Sequence, residues 1–176
     1  WRQHAATLAL RESEKRFETL IAALPQLAWS SRANGWTDYF SPQWLAYTGQ
    51  TFEQAEGFGW RATVHPDDLP TMAAASEVAF TNGGVYISEL RIRDAAGRYR
   101  WFLGRASAMF DENGEIARWY GTCTDIDLAK HVQEELARRE AQLDLATRIA
   151  GAGVFDHDYL NGTIYWSERL REIHQL

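Results

Sequence analysis

The sequence predicts an α+β fold built on an antiparallel β-sheet. Two short strand-like segments flank the dipeptide Asn34-Gly35, which is typical of tight hairpin turns. Three longer strand patterns come later in the chain, and loops that end in Gly97 and Gly114 join them. These three patterns cover residues 85–93, 98–110 and 115–126. Strands in hairpin order, with helical segments inserted between the two groups, indicate an antiparallel α+β domain.

The composition excludes several classes of protein. The chain has 176 residues, of which 45% are hydrophobic and 24% are charged, and this balance is typical of globular domains. The net charge of −6 argues against nucleic acid and against direct membrane contact. Cys123 is the single cysteine, so neither a disulfide framework nor a cysteine-based zinc site is predicted. The chain starts at Trp1 without a methionine, and we expect it to be a cytoplasmic segment of a longer protein.

Residues 1–24 are predicted to form an amphipathic helix before the domain. One apolar row recurs every seven residues, and Pro25 marks the end of the pattern. This row consists of Leu10, Phe17 and Leu24. A heptad row of this kind favours pairing of the helix with a second copy of itself.

Residues 25–127 are predicted to form the complete domain, and within it the segment His65-Pro66-Asp67-Asp68 resembles a metal or proton-transfer cluster. An alternative explanation is a helix start, because proline suits the first helical position and carboxylates favour the positive end of the helix dipole. His65 would then be the N-cap of a helix that runs from about Pro66 to Phe80. We expect the helix start, and we predict no metal site.

The helical period returns at residues 128–150, where Val132, Leu136 and Leu143 mark the apolar rows of a linker helix. Residues 151–176 then repeat the start of the domain. A shift of 126 residues places Trp29 on Phe155, Tyr39 on Tyr165 and Phe40 on Trp166. Similarity at domain spacing indicates a tandem array. The sequence therefore predicts the start of a second, incomplete copy.

Several segments taken together resemble the PAS domain, in the subclass with an extended C-terminal PAC hairpin that is common in bacterial sensor histidine kinases. They are SEKRFETLIAALP, YFSPQW, GWRATVHPDD, GRYRWFLGRA and GTCTDID. The resemblance implies a five-stranded antiparallel sheet of order 2-1-5-4-3 with short helices on one face. It also implies a module for sensing and dimerisation that is seldom an enzyme itself.

The resemblance also bears on cofactors. Flavin-adduct PAS proteins carry a cysteine in a short helix before the long helix, where this chain reads EGFGWRATV. Haem-binding members carry a histidine in the long helix, and residues 66–80 contain none. Covalent flavin and haem are therefore not expected. Two options stay open, which are a small metabolite and a non-covalent flavin stacked on Trp29, Trp101 or Trp119.

Two sets of site residues are predicted. A ligand pocket between the sheet and the helices of residues 41–82 would be lined by Tyr39, Trp44, Tyr47, Leu90, Ile92 and Met109. A relay junction at the end of the last strand would consist of Thr124, Asp125, Ile126 and Asp127. Asp125 would hold nearby backbone there, and Asp127 would cap the linker helix.

The predicted function is sensing and relay within a larger bacterial signalling protein, and a histidine kinase is the favoured parent. No phosphate loop or catalytic constellation is visible, and the residues after His131 do not match a kinase phosphoacceptor box, so the chain itself is not expected to be an enzyme. The alternatives are a ligand-free dimerisation module of a diguanylate cyclase or phosphodiesterase, and a flavin-binding redox sensor. The expected partners are a second copy, through the flanking helices and the outer sheet face, and downstream PAS or kinase domains.

Overall fold

The computed structural model describes Glu12, Lys15, Thr19 and residues 25–82, 84–150, 155–158, 160–167 and 170–172. The chain divides into two compact units, with the boundary after Asp127. Of the predicted N-terminal heptad row, Leu10, Phe17 and Leu24 all lie outside the described residues.

A five-stranded antiparallel sheet forms the framework of the first unit, and its strand order is β2-β1-β5-β4-β3. The strands are β1 (Leu27–Arg32), β2 (Thr37–Phe40), β3 (Val85–Arg93), β4 (Tyr99–Phe110) and β5 (Ile116–Asp125). Both the α+β class and the predicted strand order are confirmed. The central strand β5 pairs with β1 on one side and with β4 on the other.

Aspartates close the two long hairpins. Asp94 accepts hydrogen bonds from the backbone N–H groups of Ala96 and Arg98, each at 2.9 Å. Asp111 accepts the equivalent pair in the β4–β5 loop, also at 2.9 Å. These backbone N–H groups lower the pKa of both carboxyls, because they stabilise the charged form. The loops are therefore fixed by local side-chain contacts, as expected of Asp-to-Gly turns.

Short helices connect β2 to β3. They are α1 (Pro42–Thr48), α2 (Phe52–Ala55), two 3₁₀ turns (Gly59–Thr63 and Pro66–Asp68) and α3 (Leu69–Asn82). Thr51 and Gln54 form a capping box at the start of α2. The backbone N–H of Asp67 donates to Nδ1 of His65 at 3.3 Å. His65 is thus an N-cap, as predicted, although the helix opens with a 3₁₀ turn.

The hydrophobic core lies between the helices and one face of the sheet. Trp44 and Ile92 are its largest fully buried side chains. Phe40 lies 5.1 Å from Trp44, and Trp60 meets Trp44 edge to face at 6.3 Å, measured between ring centroids. Aromatic pairs of this kind add about 0.5–1.5 kcal/mol beyond their buried area. The core is therefore built largely on aromatic side chains.

The second unit contains most of a long helix and a short hairpin. Helix α4 spans Asp127–Ile149, and β6 (Phe155–Asp158) pairs antiparallel with β7 (Thr163–Trp166). The assignment of this hairpin to a second domain copy stays a prediction. None of the helices in the described ranges combines the length and the hydropathy of a membrane span.

Candidate functional site

A cavity of about 200 Å³ lies between the inner face of the sheet and the helices. Helix α3 contributes Met72, Ser76 and Ala79 to its wall, and strand β4 contributes Gly104 and Ala106. The small side chains leave the space open. A Cβ atom at Gly104 would lie 3.1 Å from Cδ2 of Leu90, which is tighter than usual contact. The cavity thus results from small residues placed opposite large ones.

Aromatic side chains dominate the rest of the wall. The helical segments contribute Trp44, Phe58, Trp60 and Phe80. The strands contribute Trp29, Phe40, Tyr86 and Trp119. The indole of Trp29 packs directly against Gly121 of β5, and this is allowed only because Gly121 has no side chain, since a Cβ there would lie 2.3 Å from the indole. A wall of this composition suits a flat, apolar ligand body.

Three donors in this wall have no acceptor among the described residues. They are the indole nitrogens of Trp44, Trp60 and Trp119, which are buried. A buried donor without an acceptor costs about 1–3 kcal/mol. Edge-to-face contacts with neighbouring rings offset only part of such a cost, because N–H contacts with aromatic faces are weak.

The cavity wall carries two groups that stay neutral at physiological pH. Burial raises the pKa of the Cys123 thiol to about 12. Burial likewise raises the pKa of Tyr86 to about 12. The thiolate is the reactive form of cysteine, so this raised pKa disfavours a nucleophilic role for Cys123 at neutral pH.

Arg61 is the one charged residue that the described part of the chain contributes to the wall, and its side chain is exposed. Its guanidinium carbon lies 4.5 Å from the ring centroid of Phe58 and 5.8 Å from that of Trp60. Cation–π contacts hold a guanidinium over such rings. A positive charge is thus held at the edge of an apolar cavity.

The six predicted pocket residues divide into three groups, which lie in the cavity wall, in the adjacent core and on the outer face of the sheet. Trp44 and Leu90 line the cavity. Tyr47 and Ile92 belong to the adjacent core, where the Tyr47 hydroxyl donates to the Ile92 carbonyl at 3.2 Å. Burial raises the pKa of Tyr47 to about 12, so it donates this bond in its neutral form.

Tyr39 and Met109 were predicted on the wrong face of the sheet. Tyr39 pairs with Ser30, and with Arg118 and Tyr120 it lines a groove on the outer face. Met109 is exposed. It alternates with Ala106 and Ala108 so that its side chain falls in the outward row of β4. Apolar residues in both rows of this strand concealed the direction, because the usual apolar–polar alternation is absent.

The tryptophans proposed for stacking also divide between the two faces. Trp29 and Trp119 line the cavity. Trp101 lies on the outer row of β4, where the guanidinium carbon of Arg91 is 5.0 Å from its ring centroid. Trp101 is therefore placed for a contact with Arg91 and not for stacking on a cavity ligand.

The junction after β5 is held by a small network around β4. The backbone N–H of Ile126 donates to the Trp101 carbonyl at 2.9 Å, and the backbone N–H of Trp101 donates to Oδ1 of Asp127 at 3.0 Å. Arg100 forms an ion pair with Asp125 at 2.8 Å and lies 3.5 Å from Asp127. Thr124 pairs with Leu103 in the sheet. The start of α4 is thus tied to the first residues of β4.

Asp125 holds nearby backbone, as predicted, because it accepts the backbone N–H of Asp127 at 2.9 Å. Asp127 has a partner that the sequence did not indicate, since its carboxylate accepts the backbone N–H of Trp101. Trp101 is distant along the chain, so local patterns could not reveal this contact. The capping role of Asp127 stays a prediction.

A second contact, which the sequence did not predict, fixes a helix start to the sheet, and we call such a contact an anchor. The Asp68 carboxylate accepts three hydrogen bonds from Arg91: the backbone N–H at 2.7 Å, Nε at 3.0 Å and Nη2 at 2.7 Å. Burial raises the pKa of Asp68, but these bonds outweigh burial and hold the pKa below its usual range. Asp68 therefore fastens the start of α3 to β3, in addition to favouring the helix dipole.

The predicted linker row is accessible along α4. Val132, Leu136 and Leu143 are all exposed. Within the described ranges, no group of three or more His, Cys, Asp or Glu side chains is placed to hold a metal ion.

The sequence matches known proteins over most of its length. Residues 37–123 match the family model described as the PAS fold. The chain is 32% identical over 154 residues to protein y4lL of Sinorhizobium fredii, described as uncharacterized, with 88% of this chain and 18% of that protein covered. It is 29% identical over 137 residues to the peroxide stress-activated histidine kinase mak1 of Schizosaccharomyces pombe, with 73% of this chain and 8% of that protein covered. The chain thus spans a small part of the length of these curated relatives.

A solved structure shares the fold. The crystal structure of a sensory box histidine kinase/response regulator from Burkholderia thailandensis superposes with a TM-score of 0.59 at 23% sequence identity. The superposition covers 73% of this chain and 98% of that chain. At this level of identity, the likeness concerns the fold alone.

Proposed function

This chain belongs to the PAS fold family, and from that premise we propose that it senses a small molecule in its cavity and relays the event into helix α4. PAS domains are sensory modules, and the histidine kinase among the relatives supports a kinase as the parent protein. In this proposal, catalytic activity belongs to other domains of the parent protein.

The observation that carries the proposal is that cavity and junction share two paired strands. Ala106 of β4 and Cys123 of β5 line the cavity. The junction begins at the next residue, Thr124, and its Asp125 pairs with Phe102 of β4. A ligand that displaces the inner side chains of these strands therefore acts on backbone that also holds the start of α4.

A second series of contacts joins the same two places. Helix α3 lines the cavity, and Asp68 at its start holds Arg91. Arg91 pairs with Trp101 across β3 and β4, and its guanidinium lies over the indole. Trp101 in turn donates to Asp127. Contiguous packed contacts of this kind are the physical means by which two sites become coupled.

The cavity-filling substitution Ala106→Leu tests the relay in a chimera in which this chain replaces the PAS input domain of a histidine kinase. The added side chain occupies cavity space and so imitates a bound ligand. A full inversion of a two-state output needs about 5.5 kcal/mol of differential stabilisation. We expect a partial shift, seen as an autophosphorylation rate at least about threefold different from that of the parent chimera.

Asp125→Ala should abolish this difference while the circular dichroism spectrum stays native. The matched controls are Ala73→Leu, on an exposed position of α3, and Asp111→Ala, in the β4–β5 loop. Ala73→Leu alone should leave the autophosphorylation rate unchanged. Asp111→Ala, combined with Ala106→Leu, should leave the effect of Ala106→Leu intact. An Ala106→Leu effect of the same size with and without Asp125 would contradict the relay through the junction.

One observation favours a second function, that of a ligand-free dimerisation module. Helix α4 exposes Leu128, Val132, Leu136, Leu143 and Ile149, which suits pairing with a second copy. In that case Leu136→Asp would halve the native mass measured by light scattering, while Ala106→Leu would leave the chimera's output unchanged. The two functions thus predict opposite results for the cavity variant.

A further inference from the structure

We propose that the cavity selects a small aromatic carboxylate, with a single ring in the apolar interior and the carboxylate at Arg61. This inference rests on the proposed sensory function and specifies its ligand. It follows from the size of the cavity, from the sign of its charge and from its excess of hydrogen-bond donors.

The size limits the ligand to about one ring. The cavity measures about 200 Å³. An engineered protein cavity of roughly 150 Å³ accommodates benzene, so this space suits a single substituted ring. Ligands of drug size occupy pockets of roughly 300–1,000 Å³. A three-ring flavin would therefore require the surrounding side chains to move, whereas a single ring fits among aromatic neighbours such as Trp44 and Trp119.

The charge at the cavity is positive. Among the described residues of the wall there is no Asp, Glu, Lys or His, and Arg61 is the one charged side chain. Its guanidinium contacts the rings of Phe58 and Trp60 and makes no ion pair with any described residue. Arginine binds carboxylates in a bidentate, charge-assisted manner. An anionic group at the edge of the cavity would meet this unpaired charge.

The hydrogen-bonding groups of the wall also favour a ligand that carries acceptors, such as a carboxylate. The indole nitrogens of Trp44, Trp60 and Trp119 are buried donors without acceptors among the described residues. A carboxylate or another oxygen acceptor on the ligand would supply the kind of partner that these donors lack. A ligand that is itself a donor would leave them unsatisfied.

The aromatic wall also raises the opposite possibility, a quaternary or primary ammonium ligand held by cation–π contacts. Aromatic rings that surround a ligand stabilise a cation when no other positive charge lies beside it. Here Arg61 already occupies the faces of Phe58 and Trp60, so a second cation would be repelled. The aromatic surface is thus left for the ring of the ligand.

Three probes of similar size and different charge test the inference: benzoate, benzyl alcohol and benzylammonium. Each is titrated into the full chain, with binding followed by isothermal calorimetry and by ligand-observed NMR. We expect benzoate to bind at least about tenfold more tightly than benzyl alcohol, because a charge-assisted pair exceeds a neutral contact. Benzylammonium should bind most weakly.

The variant Arg61→Gln should remove the preference for benzoate while benzyl alcohol binds as before. Arg105→Gln is the matched control, since Arg105 lines the outer-face groove instead, and it should keep the preference. Trp44→Phe keeps an aromatic side chain but removes one indole donor, and it should weaken benzoate severalfold. Trp166→Phe, in the second unit, should have no effect.

Equal affinity for benzoate and benzyl alcohol, tighter binding of benzylammonium, or no binding of benzoate would each overturn the inference. The sensory role is judged separately. If Ala106→Leu changes the output of the chimera although benzoate does not bind, the ligand class is wrong and the relay stands. If benzoate binds and the chimera does not respond to Ala106→Leu, the ligand class stands and the relay fails.

Discussion

Two helix starts in this domain are fixed by aspartates in closely similar ways, and the difference between them is instructive. Asp68 at the start of α3 accepts the backbone N–H of Arg91 in β3, and Asp127 at the start of α4 accepts that of Trp101 in β4. Each carboxylate also lies beside a guanidinium. Arg91 and Trp101 are direct partners in the sheet, so the two anchors are neighbours.

The two anchors differ in how firmly the arginine is engaged. Arg91 gives Asp68 two side-chain hydrogen bonds, at 3.0 and 2.7 Å. Arg100 lies 3.5 Å from Asp127 and forms its shorter ion pair, at 2.8 Å, with Asp125. Because bidentate, charge-assisted pairs are the strong ones, the first anchor is tight and the second is loose. Under the proposed relay, a loose anchor at Asp127 would let the start of α4 respond to a change in the sheet.

The largest effect is expected for Asp68→Ala. The substitution removes three hydrogen bonds and leaves a half-buried Arg91 without its partner, so the free energy of unfolding should fall by about 2–3 kcal/mol. Urea denaturation measures the change. Asp67→Ala is the control, because that carboxylate is 76% exposed and should contribute little. Equal losses for the two variants would remove the distinction between anchor and surface charge.

A smaller effect is expected for Asp127→Ala. One hydrogen bond to the backbone of Trp101 is lost, while Arg100 keeps its ion pair with Asp125, so unfolding should become easier by about 1 kcal/mol. Urea denaturation and amide hydrogen exchange at Trp101 measure the change. Asp144→Ala, which removes an exposed pair with Arg148 on the same helix, should cost less than about 0.5 kcal/mol. A loss for Asp127→Ala that exceeds the loss for Asp68→Ala would reverse the comparison.

The smallest effect is the contribution of the Asp68 anchor to the acid sensitivity of the fold. The pKa of Asp68 lies below its usual value of 3.8 in the folded protein, so the unfolded chain binds its proton more readily. The stabilisation is complete above this value and is lost as pH falls below it. Asp68→Asn should therefore lose less stability than the unaltered protein between about pH 7 and about pH 3.

Asp67→Asn is the appropriate control for the pH series, and it should retain the acid sensitivity of the unaltered protein. Urea midpoints at both pH values give the comparison. Identical pH dependence with and without the Asp68 carboxylate would show that the tight anchor does not depend on its charge.

The sequence predicted the fold more completely than the site. Local signals were sufficient for the hairpins, because Asn34-Gly35 and the Asp-to-Gly loops act within a few residues. The strand order came from the resemblance. Cavity residues depend on the direction of each side chain, and in β4 both rows are apolar, so Met109 was assigned to the wrong face. Trp119 and Cys123 share a row of β5 with Gly121, and that alternation was the available signal.

Contacts between distant segments were beyond the reach of sequence patterns. The pairing of Asp68 with Arg91 joins residues separated by 23 positions, and Asp127 with Trp101 by 26. Both aspartates follow local rules for helix starts, and those rules do not reveal a second partner on a strand. Such contacts emerge only once the sheet register is known.

The position of the only cysteine has a practical consequence for spectroscopy. Cys123 is buried in the cavity wall beside Trp29, and its thiol keeps its proton. The S–H stretching vibration absorbs in an infrared region where other protein groups are silent, and its frequency depends on the surrounding polarity. The unaltered protein thus carries a single vibrational reporter inside the cavity, and occupancy can be followed without any label.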